Sequence, residues 1–412
     1  EREVALGGYF MEVAGWERAH GYAANEETLL TKYRDRIPTR QAEWDNRHFW
    51  EVSNAEQLAM SDGVGMINLS HFAIFDVEGP DAEGLMEYVS VAKVGTDTAL
   101  GKGVYTHFLD HAGGIRSDLT IIRLASDCYR VVCGGDTGHR DYIWMRDIKD
   151  KHGFPNVTFH DQSEQLATLG LWGPDARSTL AQLMDDPESI SNASIPFATT
   201  REINVCGVTV WVFRISYVGE QGWELYFPFS EGLKIWDALF ELGVTPVGIE
   251  TYANSRRLEK SLRLQNADLE IDYNLYEAGL ARPKVKAADF HGKAAYVQQR
   301  ELDQQAAYLC TFMLQDTTDS DGVVRYPVGN WPILDRKTKE VIIDAHGRRS
   351  YTTSMAFGPS LGANIAMGYL PADQAKEGDI VLIEYFGEHY EAKVMKVGYG
   401  ALLDPTNERP KS

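Results

Sequence analysis

The 412-residue sequence lacks several features that would each place it in a known class of proteins. Its four cysteines form neither a CxxC pair nor a zinc-ligand spacing with a histidine, so we predict unpaired thiols in a reducing compartment. No apolar run approaches the roughly 20 residues of a membrane-spanning helix. No stretch has the basic start, apolar middle and small residues of a secretory signal. We therefore expect the protein in the cytoplasm or, in a eukaryote, in the mitochondrial matrix.

Positive charge is also scarce, because 60 acidic residues outnumber 40 basic ones and the formal net charge is −20. This excess of negative charge argues against nucleic acid and against anionic membrane surfaces as partners. An anionic small ligand would need a local cluster of basic residues to bind. The chain contains one such cluster, which could be either a binding site for the ligand or a solvated basic face. The cluster consists of Arg256, Arg257, Lys260, Arg263, Arg282, Lys284, Lys286 and Lys293.

One pattern of residues occurs twice in the chain. Residues 66–77 alternate as a strand does, and GPDA at 79–82 then begins a predicted helix. Residues 166–172 form a second predicted strand, and GPDA at 173–176 begins a second helix. Strands that look antiparallel follow both copies, in residues 104–133 and 202–227. This internal duplication predicts two subdomains, each a sheet with helices, and a ligand cleft between them.

The two ends of the chain have different patterns. Residues 1–60 contain few strand signals and many charged residues, so we predict an arm with helices, one of them near 54–61. Past about residue 303 the sequence has many short strand signals and almost no helix, which predicts a small all-β domain. Its predicted strands lie near 308–314, 323–326, 331–334, 340–344, 365–370, 380–386 and 389–396.

Residues 104–135 are predicted to form three antiparallel strands joined by turns. Asp118 lies where the chain leaves a glycine turn and enters the second strand. A strand that is hydrogen-bonded to its neighbours can hold a carboxylate rigidly at the edge of a cleft. An ordinary turn residue is the alternative. His107 and His111 have the spacing of metal ligands on a helix, but this stretch is predicted to be strand and turn, so no metal site is predicted.

A second group of interest is the stretch SYVGEQGWELYF at 216–227. A glycine-containing turn precedes a strand in which Trp223 and Leu225 share one face while Glu224 and Tyr226 share the other. Glu224 could be exposed or paired with a cation. Alternatively, its carboxylate could accept two parallel N–H bonds from a flat, amidine-like ring that stacks on nearby aromatic residues.

Longer motifs, spread over the whole chain, match those of one protein family. They include GWER at 15–18, FAIFDVEGPDA at 72–82, YTHFLDHAGGIRSDL at 105–119, LGLWGPDA at 169–176, FRISYVGEQGWELY at 213–226, RRLEKSLRL at 256–264, YEAGL at 276–280, DFHGKAA at 289–295, IAMGYLP at 365–371 and LLDP at 402–405. In these motifs the sequence resembles the folate-dependent aminomethyltransferase superfamily, whose type member is the glycine cleavage T-protein. It is most similar to the folate-binding C-terminal half of dimethylglycine and sarcosine dehydrogenases.

The resemblance implies an α+β fold shaped as a cloverleaf, with tetrahydrofolate in the central opening. Two duplicated, ferredoxin-like subdomains, each an antiparallel sheet with helices, would be followed by a small C-terminal β-barrel. With the patterns above, it predicts four parts. These are an N-terminal helical arm at 1–60, a first folate-binding subdomain at 61–160 plus about 246–302, a second subdomain at 161–245 and the β-barrel at 303–412.

The resemblance also implies roles for individual residues. Asp118 matches the family's catalytic aspartate beside N5 and N10 of tetrahydrofolate, and Tyr105 matches a tyrosine that lines the same pocket. Glu224 matches the glutamate that binds the amino group and N3 of the pterin, and Tyr217 lies where an aromatic residue contacts folate. The predicted folate-binding residues are Tyr105, Glu224, Tyr217, Trp223 and Arg257.

The function implied is capture of the methylene or formaldehyde unit released when an N-methylated amine is demethylated, giving 5,10-methylenetetrahydrofolate. Ala253 stands where T-proteins have an arginine, as in the dehydrogenase-type members. No GxGxxG follows a predicted strand, so no flavin site is expected in this chain. A flavin- or metal-containing demethylase domain or subunit is therefore an expected partner. Direct methyl transfer from a sulfonium, amine or methoxyl donor, and a non-catalytic folate-binding module, are the alternatives.

Overall fold

The computed structural model describes residues 1–41 and 50–412. Among these residues, strands form one hairpin and three sheets, against which helices pack. The strands are β1 (Gly8–Val13), β2 (Trp16–Tyr22), β3 (Gly65–Asn68), β4 (Ala73–Glu78), β5 (Gly103–Leu109), β6 (Ile115–Arg123), β7 (Cys128–Cys133), β8 (Thr158–Asp161), β9 (Leu166–Trp172), β10 (Thr200–Val205), β11 (Val208–Phe213), β12 (Gly222–Pro228), β13 (Thr245–Pro246), β14 (Ala307–Leu314), β15 (Ile333–Leu334), β16 (Thr352–Gly358), β17 (Ala363–Pro371), β18 (Ile380–Tyr385) and β19 (Glu388–Val397). The α-helices are α1 (Arg2–Ala5), α2 (Thr31–Tyr33), α3 (Glu51–Asp62), α4 (Ala82–Val89), α5 (Gly138–His152), α6 (Ala176–Ala181), α7 (Gly232–Glu241), α8 (Arg256–Glu259) and α9 (Lys293–Arg300).

The first sheet has the strand order β5-β6-β7-β4-β8, and every neighbouring pair is antiparallel. The strands β5, β6 and β7 confirm the three strands predicted over residues 104–135. Along β6, Leu119 and Ile121 are buried in a core that includes residues of α4 and α5, whereas Asp118 and Thr120, which alternate with them, are partly exposed. One face of the sheet is therefore covered by helices and the other bears Asp118.

The second sheet has the strand order β10-β11-β12-β9-β3-β13. Its pairs are antiparallel, except that β13 runs parallel to β3. Helices α6 and α7 cover one face, where Leu180 and Leu239 join Leu171 and Leu225 of the strands in one core. Helix α6 confirms the helix that was predicted after the second GPDA motif.

The two sheets confirm the predicted duplication, but they exchange one strand. In each sheet, three consecutive strands lie beside the strand that precedes a GPDA motif, which is β4 in one sheet and β9 in the other. The strand β3 comes just before β4 in the chain but pairs with β9, and β8 comes just before β9 but pairs with β4. The prediction of one strand over residues 66–77 is therefore wrong. A turn separates β3 from β4, in which the amide of Phe72 donates to the carbonyl of Leu69 at 3.0 Å.

Glycine begins both GPDA motifs because no other residue fits. The φ angles of Gly79 and Gly173 are +132° and +134°, in a region that L-residues rarely adopt. A Cβ on Gly79 would lie 2.1 Å from the carbonyl oxygen of Asn156, and one on Gly173 would lie 2.2 Å from that of Gly63. In each copy, the backbone at the glycine packs directly against the backbone of another segment just before the helix begins.

The third sheet has the strand order β15-β18-β19-β14-β17-β16, with antiparallel pairs throughout. Its two edges approach each other, since the amide of Ile333 donates to the carbonyl of Ser350 at 3.0 Å. The sheet therefore curls into a half-barrel, which confirms the predicted all-β C-terminal domain. The strands predicted at 323–326 and 340–344 make only isolated bridges, and β16 was not predicted.

The N-terminal residues differ from the predicted helical arm because β1 and β2 form a hairpin. Its two-residue turn consists of Ala14 and Gly15, which both have positive φ angles, the geometry that hairpin turns favour. The helix predicted near 54–61 is present as α3. Residues 42–49 of the predicted arm lie outside the described residues.

The segment at 246–302 connects the sheets. It contains a π-helical turn at Thr251–Ser255, which is followed by α8. Farther on, Leu275 and Tyr296 pack in one core with residues of β5 and β6, so this segment contacts the first sheet. Within residues 1–41 and 50–412, no helix has the length and apolar character needed to cross a membrane. The predicted division into four parts stays a prediction.

Candidate active site

Asp118 and Tyr105 meet on the face of the first sheet that the helices leave open. Tyr105 lies on β5 and Asp118 on β6, and the register places His107 directly opposite Asp118. Opposite residues in antiparallel strands share a face, so Tyr105, two residues before His107, is a diagonal neighbour of Asp118. The Tyr105 hydroxyl donates a hydrogen bond to Oδ2 of Asp118 at 2.8 Å. The predicted catalytic carboxylate and the predicted pocket tyrosine are therefore in direct contact.

The surroundings of Asp118 favour its neutral form more than water would. Burial raises the pKa of the Asp118 carboxyl to about 6, and the negative charges of Asp141 and Asp136 act in the same direction. The hydrogen bond from Tyr105 opposes this shift. Asp118 therefore changes its ionisation state near neutral pH, as a group that exchanges protons in catalysis must do.

Glu224 lies on β12 of the second sheet and is only 7% exposed. Its carboxylate accepts a hydrogen bond from the hydroxyl of Tyr226, two residues along the same face. Burial raises the pKa of Glu224 to about 7, and the bond from Tyr226 opposes the shift. In the part of the chain that the structure describes, no cationic side chain pairs with Glu224. The carboxylate therefore keeps acceptor positions for N–H groups from outside the protein.

Tyr252, in the π-helical turn, is affected by the charges of both carboxylates. Burial raises its pKa well above the usual range, and the charges of Glu224 and Asp118 both raise it further. Its ring centroid is 4.9 Å from that of Tyr217, whose hydroxyl donates to the backbone carbonyl of Arg263 at 2.6 Å. Glu224 and Asp118, one from each duplicated half, thus both act on Tyr252, whose ring packs beside that of Tyr217.

Two of the predicted folate-binding residues lie elsewhere. Trp223 is fully buried and packs with Leu225 in the core of the second sheet, because strand alternation turns it away from the face of Glu224. Arg257 is also fully buried, and its guanidinium donates to Oδ2 of Asp268 at 2.5 Å. Trp223 packs in the core and Arg257 forms an ion pair within the protein, so we leave both out of the proposed site.

Five members of the basic cluster at 256–293 form neither a solvated face nor an open patch for an anion, because they are buried. Several members are buried and pair with carboxylates of the protein. The pairs are Arg256 with Glu220 and Glu259, Arg257 with Asp268, Lys260 with Asp404, and Lys286 with Glu87. Arg263, which is buried as well, donates to backbone carbonyl groups. These charges hold segments of the fold together, since a buried cation needs a partner.

Three residues at the site were not predicted to belong to it. Tyr252 lies on a π-helical turn, a feature common at functional sites, but the sequence there is typical of an ordinary helix. His107 was considered only as a metal ligand; it is buried, and among the described residues neither ring nitrogen has a hydrogen-bond partner. Burial and the charges of Arg282 and Arg263 lower the pKa of His107 to about 3, so its ring is neutral. Arg282 itself donates to the carbonyl of Tyr105.

The part of the chain that the structure describes contains no preformed metal-binding site. No group of three or more histidine, cysteine, aspartate or glutamate side chains is arranged there to hold a metal ion. All four cysteines are free, and burial raises the pKa of Cys133 well above its usual range.

Two family models match the chain. The model described as the GCVT N-terminal domain matches residues 1–286, and the one described as the glycine cleavage T-protein C-terminal barrel domain matches residues 329–397. An aminomethyltransferase of Herpetosiphon aurantiacus is 30% identical over 359 residues, which cover 86% of this chain and 92% of the relative. The mitochondrial dimethylglycine dehydrogenase of Homo sapiens is 28% identical over 405 residues, covering 96% of this chain.

This chain spans only part of the second of those relatives, since the match covers 43% of the human dimethylglycine dehydrogenase. Among solved structures, the glycine cleavage system aminomethyltransferase T of Bartonella henselae superposes with a TM-score of 0.77. That superposition covers 96% of this chain and 95% of the other at 22% sequence identity, so it supports the fold.

Proposed function

Because this chain belongs to the GCVT family of folate-dependent aminomethyltransferases, we propose that it transfers a one-carbon unit released by demethylation of an N-methylated amine to tetrahydrofolate. The product would be 5,10-methylenetetrahydrofolate. The observation that carries the proposal is that Asp118, hydrogen-bonded to Tyr105, and Glu224 of the other half both act on Tyr252. The likeness to a dimethylglycine dehydrogenase over 96% of the chain supports the choice of an N-methylated amine as the source.

The side chains near Tyr217 and Tyr252 fit the chemistry of a folate. A pterin presents an amino group and an adjacent ring N–H, and Glu224 is a buried carboxylate with acceptor positions to spare. Tyr217 and Tyr252 offer aromatic surfaces beside it. We propose that Glu224 binds the pterin and that the two tyrosines, with Tyr105, contact the folate.

Tetrahydrofolate, when bound, supplies the amine nitrogens that accept the carbon. Asp118 would act as the carboxylate that stabilises positive charge developing on those nitrogens and accepts a proton from them. With a pKa of about 6, Asp118 is largely ionised at pH 7 to 8, yet it is more basic than an ordinary aspartate. The hydroxyl of Tyr105 fixes the direction of this carboxylate. Holding both reactants also makes the transfer close to intramolecular.

The test compares Asp118→Asn with Asp141→Asn. Asp141 is a buried carboxylate that accepts a hydrogen bond from Ser117 at 2.6 Å, on the opposite face of β6. With tetrahydrofolate and formaldehyde, Asp118→Asn should lower the catalysed rate of 5,10-methylenetetrahydrofolate formation by about 100-fold, within the usual range for a general base. Asp141→Asn should keep most of the rate. Equal rates in both variants and the wild type would contradict the proposal. A methylated tetrahydrofolate as the product, in place of the methylene form, would favour direct methyl transfer.

We also propose a partner. Since the chain covers less than half of the dimethylglycine dehydrogenases it resembles, a flavin- or metal-containing demethylase domain or subunit is the expected source of the one-carbon unit. The division into an arm, two folate-binding subdomains and a barrel, with the boundaries predicted above, is part of the same proposal. Co-purification of the chain with an amine-oxidising activity from its source would support the partner, and limited proteolysis would test the boundaries.

A further inference from the structure

The tail, residues 402–412, follows the half-barrel and returns to the second sheet. It begins with the LLDP motif, to which the proposed function gives no role. The amide of Leu403 in this motif donates to the carbonyl of Glu259 in α8 at 2.9 Å. At the other end of the tail, the carbonyl of Lys411 accepts from Arg214, just after β11, at 2.8 Å. The tail therefore links α8 with the second sheet.

Asp404 of the LLDP motif fixes the path of the tail. Its carboxylate accepts from Nζ of Lys260, which follows α8, at 3.2 Å. The same carboxylate accepts from the backbone amides of Glu408 and Arg409 at 3.1 and 3.2 Å. The side chain of Lys260 is buried and lies against Gly219, since a Cβ on Gly219 would be 2.5 Å from Cδ of Lys260. Through Lys260, the tail is thus held beside the turn that precedes β12.

That turn, between β11 and β12, carries Tyr217 and is fastened by ion pairs at Glu220. Glu220 is buried, and its Oε1 accepts from the guanidinium of Arg256 in α8 and from Nη1 of Arg409, the latter at 2.9 Å. Nε of Arg256 also donates to the carbonyl of Val218 in the turn at 2.8 Å. Removing one partner of a buried ion pair leaves the other uncompensated, so the turn should shift when either cation is lost.

We propose that Glu220 and Arg409 are positioning residues for folate, because they hold the turn that sets the place of the Tyr217 ring. The inference rests on the proposed function, in which Tyr217 contacts the folate. The carboxylate of Glu220 is occupied by two guanidinium groups, so it acts through the backbone of the turn and not on the folate itself. The hydroxyl of Tyr217 donates to the carbonyl of Arg263, which fixes only the far end of that side chain. The orientation of the ring therefore also depends on the turn.

The test is calorimetric titration of 5-formyltetrahydrofolate into the full chain and its variants. We expect Arg409→Gln to weaken binding about fivefold, as contacting groups commonly couple by this much, and Arg409→Lys to restore most of the affinity. Lys411→Gln removes an exposed cation from the same tail and should bind within about twofold of the wild type. Glu220→Gln should weaken binding at least as much as Arg409→Gln. If Glu220→Gln fails to fold, Arg409→Gln still tests the inference, because the Arg409 side chain is half-exposed.

A double-mutant cycle with Tyr217→Ala separates positioning of the ring from a general loss of structure. If Arg409 acts through Tyr217, Arg409→Gln should change folate affinity by less than about 1.5-fold once the ring is absent. In steady-state kinetics, Arg409→Gln should raise the KM for tetrahydrofolate about fivefold and keep kcat within about twofold of the wild type.

Three results would overturn the inference. One is unchanged folate affinity in Arg409→Gln. Another is an effect of Arg409→Gln that is equally large with and without the Tyr217 ring. The third is a fall in kcat with no change in the KM for tetrahydrofolate, which would place the effect on the chemical step. Failure of the wild type to bind 5-formyltetrahydrofolate would refute the proposed function itself, whereas a wild type that binds it no better than Arg409→Gln would refute the inference alone.

Discussion

Replacing Glu224 by glutamine is expected to weaken folate binding and, at alkaline pH, to stabilise the fold. The pKa of Glu224 is raised from its ordinary value of 4.5 to about 7, because the buried charge is poorly solvated. A raised carboxyl pKa means that the folded protein resists ionisation, so wild-type stability should fall as pH rises from about 4.5 to about 7. The difference in pKa corresponds to about 3 kcal/mol. Glutamine does not ionise and avoids this loss.

Binding should change in the opposite direction. A hydrogen bond to a charged group contributes about 1.5–3 kcal/mol. The carboxylate of Glu224 can accept from two N–H groups of a pterin, whereas a glutamine amide accepts with its oxygen and presents its own N–H groups to the second donor. A loss of about 3 kcal/mol would weaken folate binding about 100-fold.

The assay is chemical unfolding at pH 4 and pH 8, together with calorimetric titration of 5-formyltetrahydrofolate. We expect Glu224→Gln to match the wild type at pH 4 and to exceed its stability at pH 8. Glu56→Gln is the matched control, since Glu56 is also fully buried with a pKa raised to about 8, but it accepts from the amides of Tyr22 and Gly248. It should leave folate affinity unchanged. Unchanged folate affinity in Glu224→Gln, or a stability difference that does not grow with pH, would refute the reasoning.

Other predictions concern the pH dependence of transfer and the glycine turns. The wild-type transfer rate should rise about tenfold per pH unit below pH 6 and level off above it, as Asp118 ionises with a pKa of about 6; a flat stopped-flow profile would argue against this. Tyr105→Phe removes a hydrogen bond that lowers the pKa of Asp118, so the midpoint of that profile should move to higher pH. Gly173→Ala should lower unfolding stability by about 2 kcal/mol or more, because its Cβ would lie 2.2 Å from the carbonyl oxygen of Gly63. Gly153→Ala, with φ of +80° but open space around it, should cost only about 1 kcal/mol in the same denaturation assay.

The sequence predicted the parts of the fold that depend on neighbours in the chain. The three strands from β5 to β7 follow from alternation and turn residues, and α4 and α6 follow from the GPDA motifs. The exchange of β3 and β8 between the sheets could not be predicted, because it depends on pairing with distant strands. The hairpin of β1 and β2 was missed because charged residues conceal its alternation.

The candidate site was partly predictable for similar reasons. Tyr105 and Asp118 meet because one hairpin fixes their register, which a local pattern can indicate. Trp223 was predicted to contact folate together with Glu224, but its side chain lies on the opposite face of β12, as strand alternation predicts. The partner of Arg257 is Asp268, and nothing in the sequence pattern marks that ion pair. Contacts between segments that are distant in sequence, such as those of Tyr252, required the folded structure.

The central claim is that one carboxylate from each duplicated half acts on the same folate, with different roles. The most direct test is steady-state kinetics of 5,10-methylenetetrahydrofolate formation by Asp118→Asn and Glu224→Gln with tetrahydrofolate varied. The account predicts that Asp118→Asn lowers kcat with little change in the KM for tetrahydrofolate. It predicts that Glu224→Gln raises that KM about 100-fold while kcat at saturation stays near the wild-type value. Equal effects of both substitutions on the same parameter, or no effect of either, would contradict it.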